Sequence, residues 1–138
     1  MEREVKIIRR ERHDFLNHLQ ILRGFLQLGK YDKVIEYIDR ISEDIHRRQE
    51  YFRLFDEETA LKLTDLYYLL ESVEANLTIK HFQRVQYNKD LGQKVERIVL
   101  ENWDLLKTSA FHKEVKIVLD DFSKLELIVD DYKIQEDL

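Results

Sequence analysis

Residues 2–28 read EREVKIIRRERHDFLNHLQILRGFLQL and carry the strongest structural signal in the chain. The stretch contains no proline, and Gly24 is its single glycine. Its apolar side chains recur close to the helical period of about 3.6 residues; they are Ile8, Phe15, Leu19, Leu22 and Leu26. The spacing predicts one long helix whose apolar arc is wide enough to pack against more than one neighbour.

A second helix is predicted directly after the first. Gly29 follows the last periodic residue, as a left-handed C-terminal cap does. Beyond it, apolar residues repeat every three or four positions from Tyr31 to Ile45 and again, seven positions later, at Phe52. The short loop makes the helices antiparallel, which gives a helical hairpin. Because two helices cannot bury both apolar faces, we expect a symmetric homodimer in which two hairpins form a four-helix bundle.

The second half of the chain has a different character and predicts a smaller unit of mixed structure. Clear alternation of apolar and polar residues marks two strands, and the residues between them suit a hairpin turn. The expected elements are a helix over Glu58 to Ala75, a strand over Asn76 to Tyr87, a helix over Asp90 to Phe111, strands over Val115 to Leu119 and Leu125 to Val129, and a turn that includes Asp121 and Ser123. The predicted class is therefore α+β, with a helical hairpin domain at residues 1–56 and a small α+β domain at residues 57–138.

Composition excludes several classes of protein. The 138 residues include no cysteine and no proline, and the formal net charge is -5. Disulfides, thiolate nucleophiles and cysteine-based metal sites are excluded, and the acidic balance argues against a nucleic-acid partner. No apolar run approaches the ~20 residues of a membrane-spanning helix, and the first residues lack the apolar core of a signal peptide. We expect a cytoplasmic protein with no membrane partner.

The first helix presents a candidate site around His13. Measured from Ile8 as the centre of the apolar arc, His13 lies about 140° away and Asn17 about 180° away, so both are expected to face solvent. An exposed imidazole is substantially neutral at pH 7 and is then a nucleophile. Asp14 can orient the ring and hold the proton on one nitrogen, and Asn17 can hydrogen-bond a transferred phosphoryl group. Most exposed histidines are nevertheless ordinary solvated surface, so the spacing alone does not establish a site.

Neighbouring residues complete a candidate surface for a partner. Gln20 and Gly24 continue the exposed row of His13, and Leu16 at its edge offers apolar contact. Gly24 removes side-chain bulk where a partner loop would approach. The Arg9, Arg10 and Arg12 cluster can attract an acidic partner, although such clusters are more often a solvated helix start.

Other chemistries fit the sequence poorly. His13 and His18 are five residues apart, whereas a zinc-chelating pair on a helix is four apart. His18 is expected to be half-buried at the margin of the apolar arc. The chain has no G-x-S-x-G turn and no clustered glycines that could cradle a phosphate, so a serine hydrolase and a nucleotide-binding protein are both disfavoured.

The segment RHDFLNHLQILRGFLQLGKYDKVIEYI, residues 12–38, resembles the histidine-bearing hairpin of the sporulation initiation phosphotransferase B family. In that family the hairpin dimerises, and its histidine relays phosphoryl groups between aspartates of response regulators. The resemblance implies that His13 is phosphorylated, with Asp14 and Asn17 at matching motif positions. It also implies response regulators as donor and acceptor, no cofactor bound by this chain, and Mg²⁺ supplied by the regulator.

The resemblance weakens after about residue 56. Family members carry a C-terminal domain similar to a histidine-kinase ATPase domain without nucleotide-binding motifs, and the predicted elements here are compatible with a small version. The chain lacks the D-x-G-x-G segment of kinases, and Asn102 is at best a remnant of their asparagine box. A phosphotransferase is favoured over an ATP-dependent kinase. The alternatives are a non-catalytic regulator that binds a response regulator or kinase, a structural dimeric bundle, and a degenerate sensor kinase.

Overall fold

The computed structural model describes residues 2–81, 90–119 and 124–137. The chain divides into two compact units, residues 1–53 and 54–138. The elements, in order, are α1 (Glu2–Gln27), α2 (Tyr31–Leu54), α3 (Glu57–Glu71), β1 (Asn76–His81), α4 (Leu91–Glu101), α5 (Trp103–Thr108), β2 (Lys113–Leu119), β3 (Lys124–Val129) and β4 (Tyr132–Asp137). The expected α+β class, a long helical hairpin followed by a small sheet domain, is confirmed.

The hairpin turn is a Schellman motif built on Gly29. The Gly29 amide donates to the Leu26 carbonyl at 3.1 Å, and the Lys30 amide donates to the Phe25 carbonyl at 2.9 Å. Gly29 has φ 70°, a left-handed conformation that glycine adopts without steric cost. This cap ends α1 and returns the chain as α2, as the sequence predicts.

The inner face of the hairpin differs from the face that the sequence predicts. Ile7 is buried, whereas Ile8, the expected centre of the buried arc, is 49% exposed. His18 and Phe25 lie on the Ile7 side and contact Tyr37 of α2. Helix α2 therefore covers one flank of the wide apolar arc of α1 and leaves the other flank exposed.

The second unit is a four-stranded sheet with its helices packed on one face. The strand order is β1-β2-β3-β4; β1 and β2 are parallel, and the other pairs are antiparallel. Alternate residues of β2 and β3 are buried, together with side chains of α3, α4 and α5. The fully or almost fully buried residues of this core include Leu63, Leu70, Leu77, Val95, Ile98, Leu106, Val115, Ile117, Leu125 and Leu127. Strict alternation in β2 and β3 thus places one apolar face against the helices.

The predicted helix over Asp90 to Phe111 is wrong as a single helix. It is interrupted at Asn102, whose backbone has φ -109° and ψ 17°. The Asn102 side-chain amide donates to the Ile98 carbonyl at 2.8 Å, and the Leu106 amide donates to the Asn102 carbonyl at 3.0 Å. Asn102 therefore caps α4 and begins α5, a use of the asparagine side chain that competes with regular helix.

One other element boundary differs from the sequence prediction, and one strand was not predicted. Helix α3 ends at Glu71 and not at Ala75, because Glu74 adopts a left-handed φ of 59° and closes a capping turn. A fourth strand, β4, follows a tight turn at Asp130 and Asp131, and its largely polar sequence gave no clear alternation signal. The predicted strand Asn76 to Tyr87 is confirmed over β1, while its last six residues and the predicted turn at Asp121 and Ser123 lie outside the described residues.

A polar network lies on the sheet face opposite the helices. The Gln135 amide donates to Glu126 Oε1 at 2.8 Å, and Lys133 Nζ lies 3.3 Å from the same oxygen. The hydrogen bond from Gln135, with the charge of Lys133, holds the pKa of Glu126 below its ordinary value of 4.5. The network therefore stabilises the ionised form of Glu126 in the folded protein.

Because the pKa of Glu126 is lowered on folding, its stabilising contribution is present above pH ~4.5 and is lost as pH falls through the folded-state pKa. We expect Glu126→Gln to flatten the decline of unfolding free energy as pH falls below ~4.5, with an effect under about 1 kcal/mol. Urea unfolding at several pH values measures this slope, and Glu101→Gln on α4 controls for loss of one negative charge. An unchanged slope in Glu126→Gln would contradict the assignment.

Candidate functional site

Helix α1 presents His13 on a face directed away from the buried flank. The His13 side chain is 70% exposed, and Asn17 and Gln20 are also exposed. Gly24 lies further along the same face, and no atom lies within 4 Å of the position that a Cβ would take there. The structure thus brings these four residues together in one row that a macromolecule can approach.

The Nδ1 atom of His13 lies between two polar side chains. The Asn17 side-chain nitrogen is 3.4 Å from Nδ1, and Asp14 Oδ1 is 3.6 Å from it. Within the described part of the chain, no hydrogen bond or ion pair involves Nε2 of His13. The imidazole is therefore held at one nitrogen and open at the other, as a nucleophile that attacks through Nε2 requires.

Asp14 is more shielded than the histidine it adjoins. Its side chain is 23% exposed, and its Oδ1 lies 3.3 Å from Arg10 Nε, one helical turn earlier. Oδ1 is also the oxygen that approaches His13, so the carboxylate lies between a cation and the imidazole. Arg10 is predicted above only as a partner contact; its ion pair with Asp14 was not predicted, although the i,i+4 spacing of an arginine and an aspartate is a recognised signal.

The three arginines of the predicted cluster do not form one patch. Successive helix positions differ by about 100°, so Arg9, Arg10 and Arg12 point in different directions. Arg9 is exposed, Arg10 contacts Asp14, and Arg12 lines an apolar groove on another side of the helix. Leu16, the predicted apolar contact, is 60% exposed.

The groove that Arg12 lines lies between α1 and α2 and has a volume of about 670 Å³. Most of its lining is apolar and comes from both helices; the residues include Ile8, Phe15, Leu19, Leu22, Ile38, Ile41, Ile45 and Phe52. Several of them remain far more exposed than core residues, with Phe15 at 62% and Phe52 at 50%. The hairpin therefore leaves a continuous apolar strip uncovered along its length, on a different side of α1 from His13.

His18 joins the two helices beside this groove. Its Nδ1 lies 2.7 Å from the Tyr37 hydroxyl, and the two rings meet edge to face. The guanidinium group of Arg40 lies over the Tyr37 ring, with its central carbon 4.7 Å from the ring centroid. The expected half-buried position of His18 is confirmed, and the arrangement indicates a packing role for this histidine.

Three further features of the described residues concern a metal site, a nucleotide-binding asparagine and a membrane-spanning helix. No group of three or more histidine, cysteine, aspartate or glutamate side chains is arranged there to hold a metal ion. Asn102, the possible remnant of an asparagine box, uses its side chain to cap α4. None of the described helices has the length and apolar character needed to cross a membrane.

Residues 1–54 match the family model described as "Sensor kinase SpoOB-type, alpha-helical domain". The matched segment covers α1 and α2 and contains every predicted site residue. The match supports the family resemblance that the sequence motif indicates and associates the hairpin with sporulation-related two-component phosphorelays. No curated protein matches the chain.

Proposed function

We propose that this protein is a histidine phosphotransferase of a two-component phosphorelay that controls the initiation of sporulation. The proposal rests chiefly on His13, which is 70% exposed and has an open Nε2 while Nδ1 faces Asp14 and Asn17. The SpoOB-type match over residues 1–54 supports this choice over ordinary surface histidine.

In the proposed reaction, the Nε2 lone pair of His13 attacks the phosphorus of a phospho-aspartyl response regulator. The N–P bond forms as the bond from phosphorus to the aspartyl oxygen breaks, and the regulator's carboxylate is the leaving group. The imidazole then carries the phosphoryl group on Nε2 and its proton on Nδ1, where the Asp14 carboxylate stabilises the positive charge. Attack by the aspartate of a second regulator reverses these steps and regenerates neutral His13.

The chain contributes positioning and electrostatics to this reaction and binds no cofactor itself. Mg²⁺ is supplied by the acidic pocket of the response regulator. Gln20, Gly24 and Leu16 form the rest of the regulator-facing row, and the exposed Arg9 attracts the acidic rim of the regulator. Because this attraction is electrostatic, docking weakens as salt rises.

The proposed assembly is a homodimer in which the apolar strip of one hairpin packs against that of a second copy. Isologous pairing buries the same surface of both chains and completes a four-helix bundle. Exposed side chains such as Phe15 and Phe52 would then be covered, while His13 stays accessible because it lies about 160° around α1 from Phe15.

In this scheme residues 1–56 provide the phosphoacceptor and the dimer contacts. Residues 57–138 form a small α+β domain whose order of elements is compatible with a small version of a histidine-kinase ATPase domain and whose sequence carries no nucleotide-binding motif. Phosphoryl groups therefore enter from a response regulator and not from ATP.

The test is transfer of labelled phosphate from a phospho-aspartyl response regulator to the wild-type protein and to His13→Gln. We expect acid-labile label on the wild type and at least a thousandfold less on His13→Gln, because the nucleophile is removed. His46→Gln on α2 changes another exposed histidine and should transfer normally. Absence of label on the wild type with a panel of regulators would reject the phosphotransferase and favour a regulator that only binds its partner.

A further inference from the structure

The surroundings of His13 pose a choice between two proton positions. If Nδ1 carries the lone pair, it accepts from the Asn17 amide at 3.4 Å and the proton resides on Nε2. If Nδ1 carries the proton, that proton faces Asp14 Oδ1 at 3.6 Å and Nε2 has the lone pair. The two arrangements exclude each other, because Nδ1 of a neutral imidazole either donates or accepts. Only the second one makes Nε2 nucleophilic.

Arg10 determines where the Asp14 carboxylate lies. Its Nε is 3.3 Å from Oδ1, the same oxygen that faces His13. The Asp14 side chain is 23% exposed, against 48% for Arg10, so the carboxylate is the more shielded member of the pair. Without this contact, Asp14 would be free to rotate its carboxylate away from Nδ1, while Asn17 would keep its place one turn further along.

We infer that Arg10 is a positioning residue that acts through Asp14 to keep the proton of His13 on Nδ1 and so leaves Nε2 as the nucleophile. The inference rests on the proposed function, since it concerns the reactivity of the same imidazole. Arg10 also cancels part of the Asp14 charge, but at an exposed site this Coulomb effect is weak and is further screened by salt. The inferred effect of Arg10 is therefore to fix the position of the Asp14 carboxylate.

The direct test is ¹⁵N NMR of the histidine side chains in the full chain at pH 8, above the ordinary imidazole pKa of about 6.5. In the wild type, Nδ1 of His13 should show a protonated, pyrrole-like shift and Nε2 an unprotonated, pyridine-like shift. In Arg10→Gln we expect the population to move toward the opposite tautomer. Arg23→Gln, which removes the same charge from another exposed position of α1, should leave the tautomer unchanged, and Arg10→Lys should restore most of the wild-type population.

Reactivity is measured with phosphoramidate, a small phosphoryl donor that needs no regulator. We expect phosphohistidine to form about tenfold more slowly in Arg10→Gln than in the wild type or Arg23→Gln. In an Asp14→Asn background, Arg10→Gln should cause little further loss, because the two residues act through one contact.

An unchanged His13 tautomer in Arg10→Gln, or a shift toward more Nδ1–H, would overturn the inference. Equal losses of rate in Arg23→Gln and Arg10→Gln would also overturn it, since they would indicate a general charge effect. These outcomes are independent of the proposed function, because neither measurement requires a response regulator. Failure of regulator transfer with the expected tautomer shift intact would reject the phosphorelay and retain the role of Arg10.

Discussion

Phe15→Asp is expected to dissociate the proposed homodimer and to weaken its self-association about a thousandfold. Phe15 is 62% exposed in the single chain and lines the apolar groove between the hairpin helices. In a symmetric dimer the substitution removes two buried aromatic rings, each worth about 2 kcal/mol. It also places two carboxylates at one interface, which adds a desolvation cost. Every 1.4 kcal/mol corresponds to about a tenfold change in dissociation constant.

Sedimentation velocity of the full chain over a range of concentrations measures this effect. Leu16→Asp is the matched control, since Leu16 is 60% exposed but lies about 100° around α1 from Phe15, toward His13. We expect Leu16→Asp to remain dimeric. If Phe15→Asp unfolds the hairpin, the wild type provides the second measurement, because the unfolding midpoint of an obligate dimer rises with concentration. A wild-type chain that sediments as a monomer would rule out the dimer.

Leu63→Ala is expected to lower the free energy of unfolding of the second unit by about 2–5 kcal/mol. Leu63 is completely buried in α3, within the core that α3, α4 and the sheet share. Truncation loses the transfer free energy of the removed methyl groups and leaves a cavity, because a close-packed core relaxes only in part. The loss is a large fraction of the stability of a small domain.

Urea unfolding of the full chain, followed by the fluorescence of the single tryptophan, Trp103, reports on this unit. Leu100→Ala provides the control, since Leu100 of α4 is 55% exposed and should change the unfolding free energy by less than about 0.5 kcal/mol. Equal effects of the two substitutions would show that α3 does not pack on the core as the structure has it.

The periodicity of residues 2–28 and the glycine at position 29 were sufficient to predict the hairpin. Local rules explain this success, because a continuous 3.6-residue pattern and a left-handed cap are properties of neighbouring residues. The alternation of apolar and polar residues predicted strands β2 and β3 for the same reason, since it too is a property of neighbouring residues. The exposed position of His13 also followed from helical angles and is reproduced in the structure.

The sequence did not predict the break between α4 and α5, strand β4 or the end of α3. Asn102 has a side chain that reaches back to the Ile98 carbonyl, and nothing in the helical pattern around it indicates that the helix stops there. Strand β4 is recognisable only through its pairing with β3, since its polar residues do not alternate clearly. Glu74 closes α3 in a conformation that is ordinarily expected of glycine.

The amino-acid sequence by itself determined the helical hairpin, its turn, the two alternating strands and the face on which His13 is presented, because each follows from spacing along one element. The tertiary structure decided which flank of the apolar arc α2 covers, which leaves Ile8 and Phe15 exposed while Ile7 is buried. It also decided that Arg10 pairs with Asp14 while Arg12 faces the groove. Side-chain contacts and burial depend on which surfaces meet in space, and the periodicity of a single helix does not carry that information.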